Sequence, residues 1–226
     1  MCQRLVVPNQ DQVEKEVSVA HPWWRFSVRF NVAVTQRVPV ARLHEGEREG
    51  VMVRWGFVPE PEEGEPFEES RVGAAHVRSE ALVDSHDYRN AWLNAQRCIV
   101  PIAGFYTWHL SSRRVRQPYY ARLVNRAVFG VAALWERTVI ERRDVIESCA
   151  LLTVPANELL AGVSGSRMPA ILDKGDYEQW LTAPVPEAQR LLKTYSGERM
   201  VIHPVGPRVN YLQYDDPQLI RPARQS

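Results

Sequence analysis

The chain has little lysine, little cysteine and no long apolar run. Of its 28 basic residues only Lys15, Lys174 and Lys193 are lysines, and 27 acidic residues bring the formal charge to +1. Such a balance removes the global electrostatic case for a nucleic-acid binder. Arginine's planar fork still suits phosphates and stacked bases, although a GC-rich genome gives the same arginine bias with no function behind it. No stretch reaches 18 apolar residues, and the N-terminus lacks the charged-then-apolar order of a signal peptide. A soluble, cytoplasmic protein with no membrane partner is therefore expected. Cys2, Cys98 and Cys149 have no close spacing, which argues against a disulfide framework. The histidines at 21, 44, 76, 86, 109 and 203 show no HxxxH pattern, so no metal is expected. In GVSGS (162–166) a serine stands where the second glycine of a nucleophile elbow belongs, and no phosphate-binding glycine loop occurs, so no cofactor is expected either.

What is present suffices for one well-buried domain over residues 1–226, 45% of which are hydrophobic. Residues 9–19 read as a short polar helix or loop; FSVRFNVAV (26–34), VPVARL (38–43) and GVMVRWGFVP (50–59) read as strands. In the last of these Val51, Val53, Trp55 and Phe57 share one face at period two. PEPEEGEPFEES (59–70) is acidic and proline-rich and reads as a loop. Residues 79–96 read as helix. The runs 97–110, 118–123, 127–135 and 145–154 return to strand character. Helices are expected at 156–163, 176–183 (with Asp176 and Gln179 as a capping box) and 186–195, with a last strand at 200–205. Many strands at hairpin spacing with few β-α-β alternations give an α+β domain built on antiparallel sheet.

The opening residues MCQR raise a chemical question. Removal of Met1 leaves Cys2 with a free α-amine (pKa about 7.7–8.0) and a thiol (about 8.5) on neighbouring carbons. Such a 1,2-aminothiol condenses with an aldehyde to an imine and then a thiazolidine. It also suits an N-terminal-nucleophile hydrolase, in which the amine serves as base for the thiol. From these four residues alone, the favoured reading is a small side chain merely tolerated beside Met1.

The rest of the chain bears on the choice. FNVAVTQRVPV (30–40), RWGFVP (54–59), AAHVRSE (74–80), RCIVPIAGFYTW (97–108), FGVAALW (129–135), LLTVPAN (151–157), SRMPAIL (166–172) and RVNYLQYDDPQLI (208–220) follow MCQR in order. Together they resemble the SOS-response-associated peptidase (SRAP) family, whose patterns read MCGR, NxAPTQ, WGLxP, NARxE, RCLxPxxGFYEW, AGLW, TxxA, IHxRMP and VN. The resemblance spans nearly the whole chain. It implies antiparallel sheets forming a barrel-like core with flanking helices. It also implies a processed Cys2 that captures the ring-opened aldehyde of an abasic site in single-stranded DNA as a thiazolidine.

Carried over residue by residue, the resemblance makes Cys2 the nucleophile and places Arg4, Arg78 and Arg167 in the DNA groove, with Trp55 either stacking on DNA or packing in the core. Three family positions differ. His76 replaces the NARxE asparagine, Thr107 the GFYEW glutamate that acts as acid and base, and Gly165 the IHxRMP histidine linked to sugar opening and reversal. Gln3 replaces the usual glycine after Cys2, and Val34 the proline of NxAP. A strand over 105–110 puts Thr107 and His109 on one face, so His109 or His76 is a candidate group titrating near neutrality. The expected function is single-stranded DNA binding with covalent capture of abasic sites, impaired by these substitutions, in a monomer without cofactor. The alternatives are an inactive relative that binds DNA or a partner, and a thiol autopeptidase that removes Met1.

Overall fold

The strand that follows the N-terminus, β1 (Arg4–Val7), carries three buried apolar residues in a row, Leu5, Val6 and Val7. So apolar a run needs neighbours on both sides, and it has them in β3 (Arg29–Ala33) and β8 (Gly104–Leu110), both antiparallel to it. In register, Arg4 stands opposite Ala33 on one side and Tyr106 on the other. With β9 (Arg116–Leu123) and β13 (Met200–Pro204) these form a five-stranded antiparallel sheet in the order β13-β9-β8-β1-β3. The computed structural model describes residues 3–59, 74–110, 116–139 and 144–223.

A second sheet closes on itself. β4 (Arg37–His44), β5 (Glu47–Trp55), β7 (Arg97–Ile102), β10 (Phe129–Val139) and β11 (Val145–Pro155) pair in a ring, β5-β4-β7-β10-β11. Four of its contacts are antiparallel, and the closing one, β11 to β5, is parallel through Ser148–Arg54 and Cys149–Trp55. Two short strands, β2 (His21–Pro22) and β6 (His76–Arg78), add in parallel to β5 and β11, and β12 (Arg167–Pro169) adds antiparallel to β11. Helices α1 (Gln10–Val17), α2 (His86–Leu93), α3 (Glu158–Ser164), α4 (Tyr177–Thr182) and α5 (Val185–Arg190) flank the sheets. The α+β, barrel-cored architecture is as expected; the parallel closure and the two parallel additions depart from an all-antiparallel plan.

Every residue of β7 is buried, and Trp24, Trp55, Trp92 and Trp180 lie in the same core. Arg97 enters it because its fork finds backbone acceptors: Nε donates to the Trp180 carbonyl at 2.7 Å and Nη2 to that of Ala183.

Three local expectations are corrected. The apolar run 97–110 is two strands that enter different sheets, parting at Ala103. Glycine at 104 allows this close passage, since a Cβ there would lie 2.5 Å from the Ala121 carbonyl oxygen. The segment 79–96 is a 3₁₀ turn at Ser79–Ala81 and then α2, which starts only after Ser85, whose extended backbone suits an N-cap. Asp176 makes no side-chain cap to α4, because a 3₁₀ turn at Lys174–Asp176 runs directly into that helix. The acidic stretch read as a loop lies, from residue 60 on, outside the described residues. Among the described residues no helix is long and apolar enough to cross a membrane.

Candidate functional site

The motif FNVAVTQ builds a corner beside the start of β1. Asn31 is buried; its amide nitrogen donates to the carbonyls of Tyr211 (3.1 Å) and Tyr214 (2.9 Å), while its oxygen accepts from Arg4 Nη1 at 3.0 Å. Thr35 takes a left-handed φ of +77°, which turns the chain from β3 into β4. Gln36 Oε1 accepts from the Ala33 N–H at 2.9 Å, and Thr35 and Gln36 exchange backbone bonds with Trp55 at the end of β5. The corner thus ties the two sheets together where the N-terminus emerges.

At that junction lies a cleft of about 480 Å³, lined by Gln3, Arg4, Ala33, Val34, Ala75 and His76. Arg4 reaches it from β1 and His76 from β6, so two residues 72 positions apart in sequence share one wall. Arg4 is held on both prongs, by Asn31 and by the Asn210 carbonyl at 3.3 Å, and its partial burial lowers its pKa from the ordinary guanidinium value. Cys2 lies outside the described residues, and the two residues that follow it line the cleft.

His76 presents its ring edge-on to Trp55, with centroids 5.6 Å apart at 86°. It keeps some surface exposure but is surrounded by protein on most sides, and the resulting desolvation pulls its pKa down to about 4. It is therefore a neutral imidazole at physiological pH, not a group titrating near neutrality. A neutral imidazole offers one donor and one acceptor, which is the hydrogen-bonding capacity that an asparagine side chain brings to the same place.

Trp55 is fully buried and donates its indole N–H to the Ala75 carbonyl at 3.0 Å. Of the two roles left open by the sequence, the structure has packing: the ring offers no face to a base. Ala75, so held, also accepts the Leu151 N–H, which fixes the lead-in to β6 and with it His76.

The remaining candidates stand apart from the cleft lining. Arg78 follows on β6, opposite Thr153 of β11, and is exposed. Arg167, on the other flank of β11, makes a two-pronged ion pair with Glu80, both N–O distances 2.8 Å, and donates to the Thr153 carbonyl. That pairing lowers the Glu80 pKa from the ordinary carboxylate value. Arg167 is thus committed to its neighbours and has a side chain 14% exposed. Thr107 is buried, one residue beyond the Tyr106 that faces Arg4 on β8, and its hydroxyl has no hydrogen-bond partner among the described residues. His109, two residues on, is half-buried. Gly165 ends α3 with φ +87° and ψ −155°, exposed, with open space where a side chain would begin.

Sequence reasoning missed Asn31, Asn210 and Asp215 as individual anchors, although each sits in or beside a quoted motif. Trp108 Nε1 donates to Asn210 Oδ1 at 2.8 Å, so the tryptophan of GFYTW and the asparagine of RVN hold one another. Such partners lie 102 residues apart and leave no local signal.

Known proteins align with most of this chain. The chain is 25% identical to the abasic site processing protein YoqW of Bacillus subtilis, over 97% of this chain and 99% of that one. It is 27% identical to the abasic site processing protein HMCES of Gallus gallus, over 78% of this chain and 58% of that one. A crystal structure of a Bordetella bronchiseptica protein superposes with a TM-score of 0.79 at 27% identity, covering 91% of this chain and all of that one. The family model for SOS response associated peptidase (SRAP) proteins matches residues 1–212, and the chain belongs to that family.

Proposed function

We propose that this protein binds single-stranded DNA and captures abasic sites covalently through Cys2 once Met1 has been removed. The Cys2 α-amine attacks the aldehyde carbon of the ring-opened sugar, and loss of one water gives an imine. The thiolate then adds to the imine carbon and the nitrogen takes up a proton, closing a thiazolidine. An open imine at that sugar invites β-elimination and strand cleavage; the closed ring carries no iminium, so the strand is protected.

The observation that supports this reading most directly is that the residues immediately after Cys2 share a cleft with His76, the occupant of the family's asparagine position. Relatives named as abasic site processing proteins point the same way. In the role proposed here, His76 orients the reacting groups as a neutral donor and acceptor, and Arg4 supplies positive charge toward a phosphate. Loss of a positioned acid or base at 107 and 165 costs roughly 10²–10⁴ in rate each, less than additively when both act on one step. Capture is therefore slow but not abolished, because aminothiol condensation proceeds without catalysis.

Intact mass before and after incubation with a single-stranded oligonucleotide bearing one abasic site tests this. A product of protein plus DNA less one water, absent in Cys2→Ala, is expected. A processed Cys2 with no adduct after long incubation overturns covalent capture. That result leaves the second reading, non-covalent binding, which Thr107 and the side-chain-free Gly165 favour.

A further inference from the structure

Beside the cleft, the turn after Asn210 exposes apolar surface that the fold does not need. Tyr211 is 59% exposed and Leu212 54%, whereas Val209, two residues earlier, is fully buried. Exposed aromatic and aliphatic side chains side by side usually mark a contact surface. The backbone beneath them is nevertheless rigidly held. Asn31 donates to the carbonyls of both Tyr211 and Tyr214, the Tyr211 N–H bonds to the Arg208 carbonyl at 3.0 Å, and Asp215 accepts from the Asn31 N–H. The Tyr214 ring stands edge-on to Tyr211, with centroids 6.4 Å apart at 84°, and its face is covered by the Arg208 guanidinium at 4.2 Å. Tyr211 is thus in contact with Tyr214 and still more than half open to solvent.

Charge here does not oppose an anionic partner. Asp215 is paired with Arg29 and accepts two backbone N–H groups, and Asp216 is paired with Arg208 at 2.9 Å, so neither carboxylate faces a ligand uncompensated. Arg4, one prong of which rests on the Asn210 carbonyl, connects this turn to the cleft wall.

From this we infer that Tyr211, with Leu212 beside it, is a base-stacking platform for the nucleotide next to the one held in the cleft. The inference rests on the single-stranded DNA reading above and names where the strand leaves the site. Stacking needs no hydrogen-bond code, so the platform accepts any base. It requires that base to be unpaired, which excludes the interior of a duplex. Because the turn is pre-organised, little conformational entropy is lost when a base settles on the ring.

The test is equilibrium binding of a fluorescein-labelled single-stranded oligonucleotide, with and without an abasic site, to wild type, Tyr211→Ala and Tyr211→Phe over a range of salt. Tyr211 is exposed and its anchoring contacts are made by backbone atoms, so both variants keep the fold, which a thermal melt verifies. Tyr211→Ala is expected to bind roughly fivefold or more weakly, since a stacked base is worth about 1 kcal/mol or more. The slope against salt should stay unchanged, because no phosphate contact is lost, and Tyr211→Phe should match wild type. If wild type binds the strand and Tyr211→Ala binds equally well, the platform is wrong and the DNA reading stands. If wild type does not bind the strand at all, the DNA reading falls and the platform with it.

Discussion

The Asp215 carboxylate accepts the backbone N–H of Asn31 at 3.0 Å across 184 residues of chain, and through it the last segment of the protein is clamped to the strand beside the N-terminus. The same carboxylate takes the Phe30 N–H and pairs with Arg29. A carboxylate with three donors is hard to replace: an amide keeps the shape but loses the charge that makes such bonds worth about 1.5–3 kcal/mol each. Asp215→Asn is expected to lower stability by about 1.5–3 kcal/mol and to speed proteolysis after residue 207, since Arg4, Asn31 and the 208–216 turn lose their common anchor. Chemical denaturation and limited proteolysis of the variant check both effects.

His76 gives the protein a pH signature. Its pKa is near 4 in the folded chain and about 6.5 when unfolded, so between those values the unfolded state binds more protons. The stabilisation from burying a neutral imidazole is complete above about pH 6.5 and is lost as pH falls toward 4. The slope approaches 1.4 kcal/mol per pH unit for one proton in mid-range. His76→Asn, which restores the family residue and cannot titrate, is expected to flatten the curve of stability against pH in that window. Denaturant midpoints of the two proteins at pH 7, 6, 5 and 4.5 decide the matter.

Much of the fold was legible because its strands alternate or run apolar over lengths that only sheet accommodates, as in β10 and β11. The split of 97–110 was not, because β7 and β8 are both apolar and the change of sheet at Ala103 is made by partners elsewhere. Val6 accepts the Ala103 N–H and Tyr120 Oη donates to its carbonyl. In the site, the motifs that carry Arg4 and His76 meet in one cleft, as their shared membership of one motif series implied. What sequence could not supply was burial: it decides that Trp55 packs, that Arg167 is taken by Glu80, and that His76 stays neutral.

Gly165 marks a position where the family residue cannot simply be put back. At φ +87° and ψ −155° the backbone lies in a region that is close to glycine-only, so any side chain adds about 1–3 kcal/mol of strain. Gly165→His is expected to lose stability by about that amount, and Gly165→Ala by a similar amount, since open space around the site means no clash adds to either. Melting both variants beside wild type checks this; if Gly165→His is as stable as wild type, the conformation at the end of α3 is not fixed as described.

Arg78 and Arg167 occupy opposite flanks of β11 and make opposite predictions. Arg78 is exposed, so Arg78→Ala should leave stability within about 0.5 kcal/mol. If it meets a phosphate, as the family groove implies, the variant should weaken single-strand binding for all sequences alike and reduce the salt slope by about 1. Arg167 is 14% exposed at its side chain and bonded to Glu80 and Thr153. Its ion pair is weakened by the 55% exposure of Glu80, so Glu80→Gln should cost less than about 1 kcal/mol. Arg167→Ala removes the Thr153 bond and the packed stem as well, and should cost more, with little change in salt slope. Measuring melts and salt titrations for all three variants separates a phosphate contact from a strut: a large slope change in Arg167→Ala would show that its pairing with Glu80 opens when DNA binds.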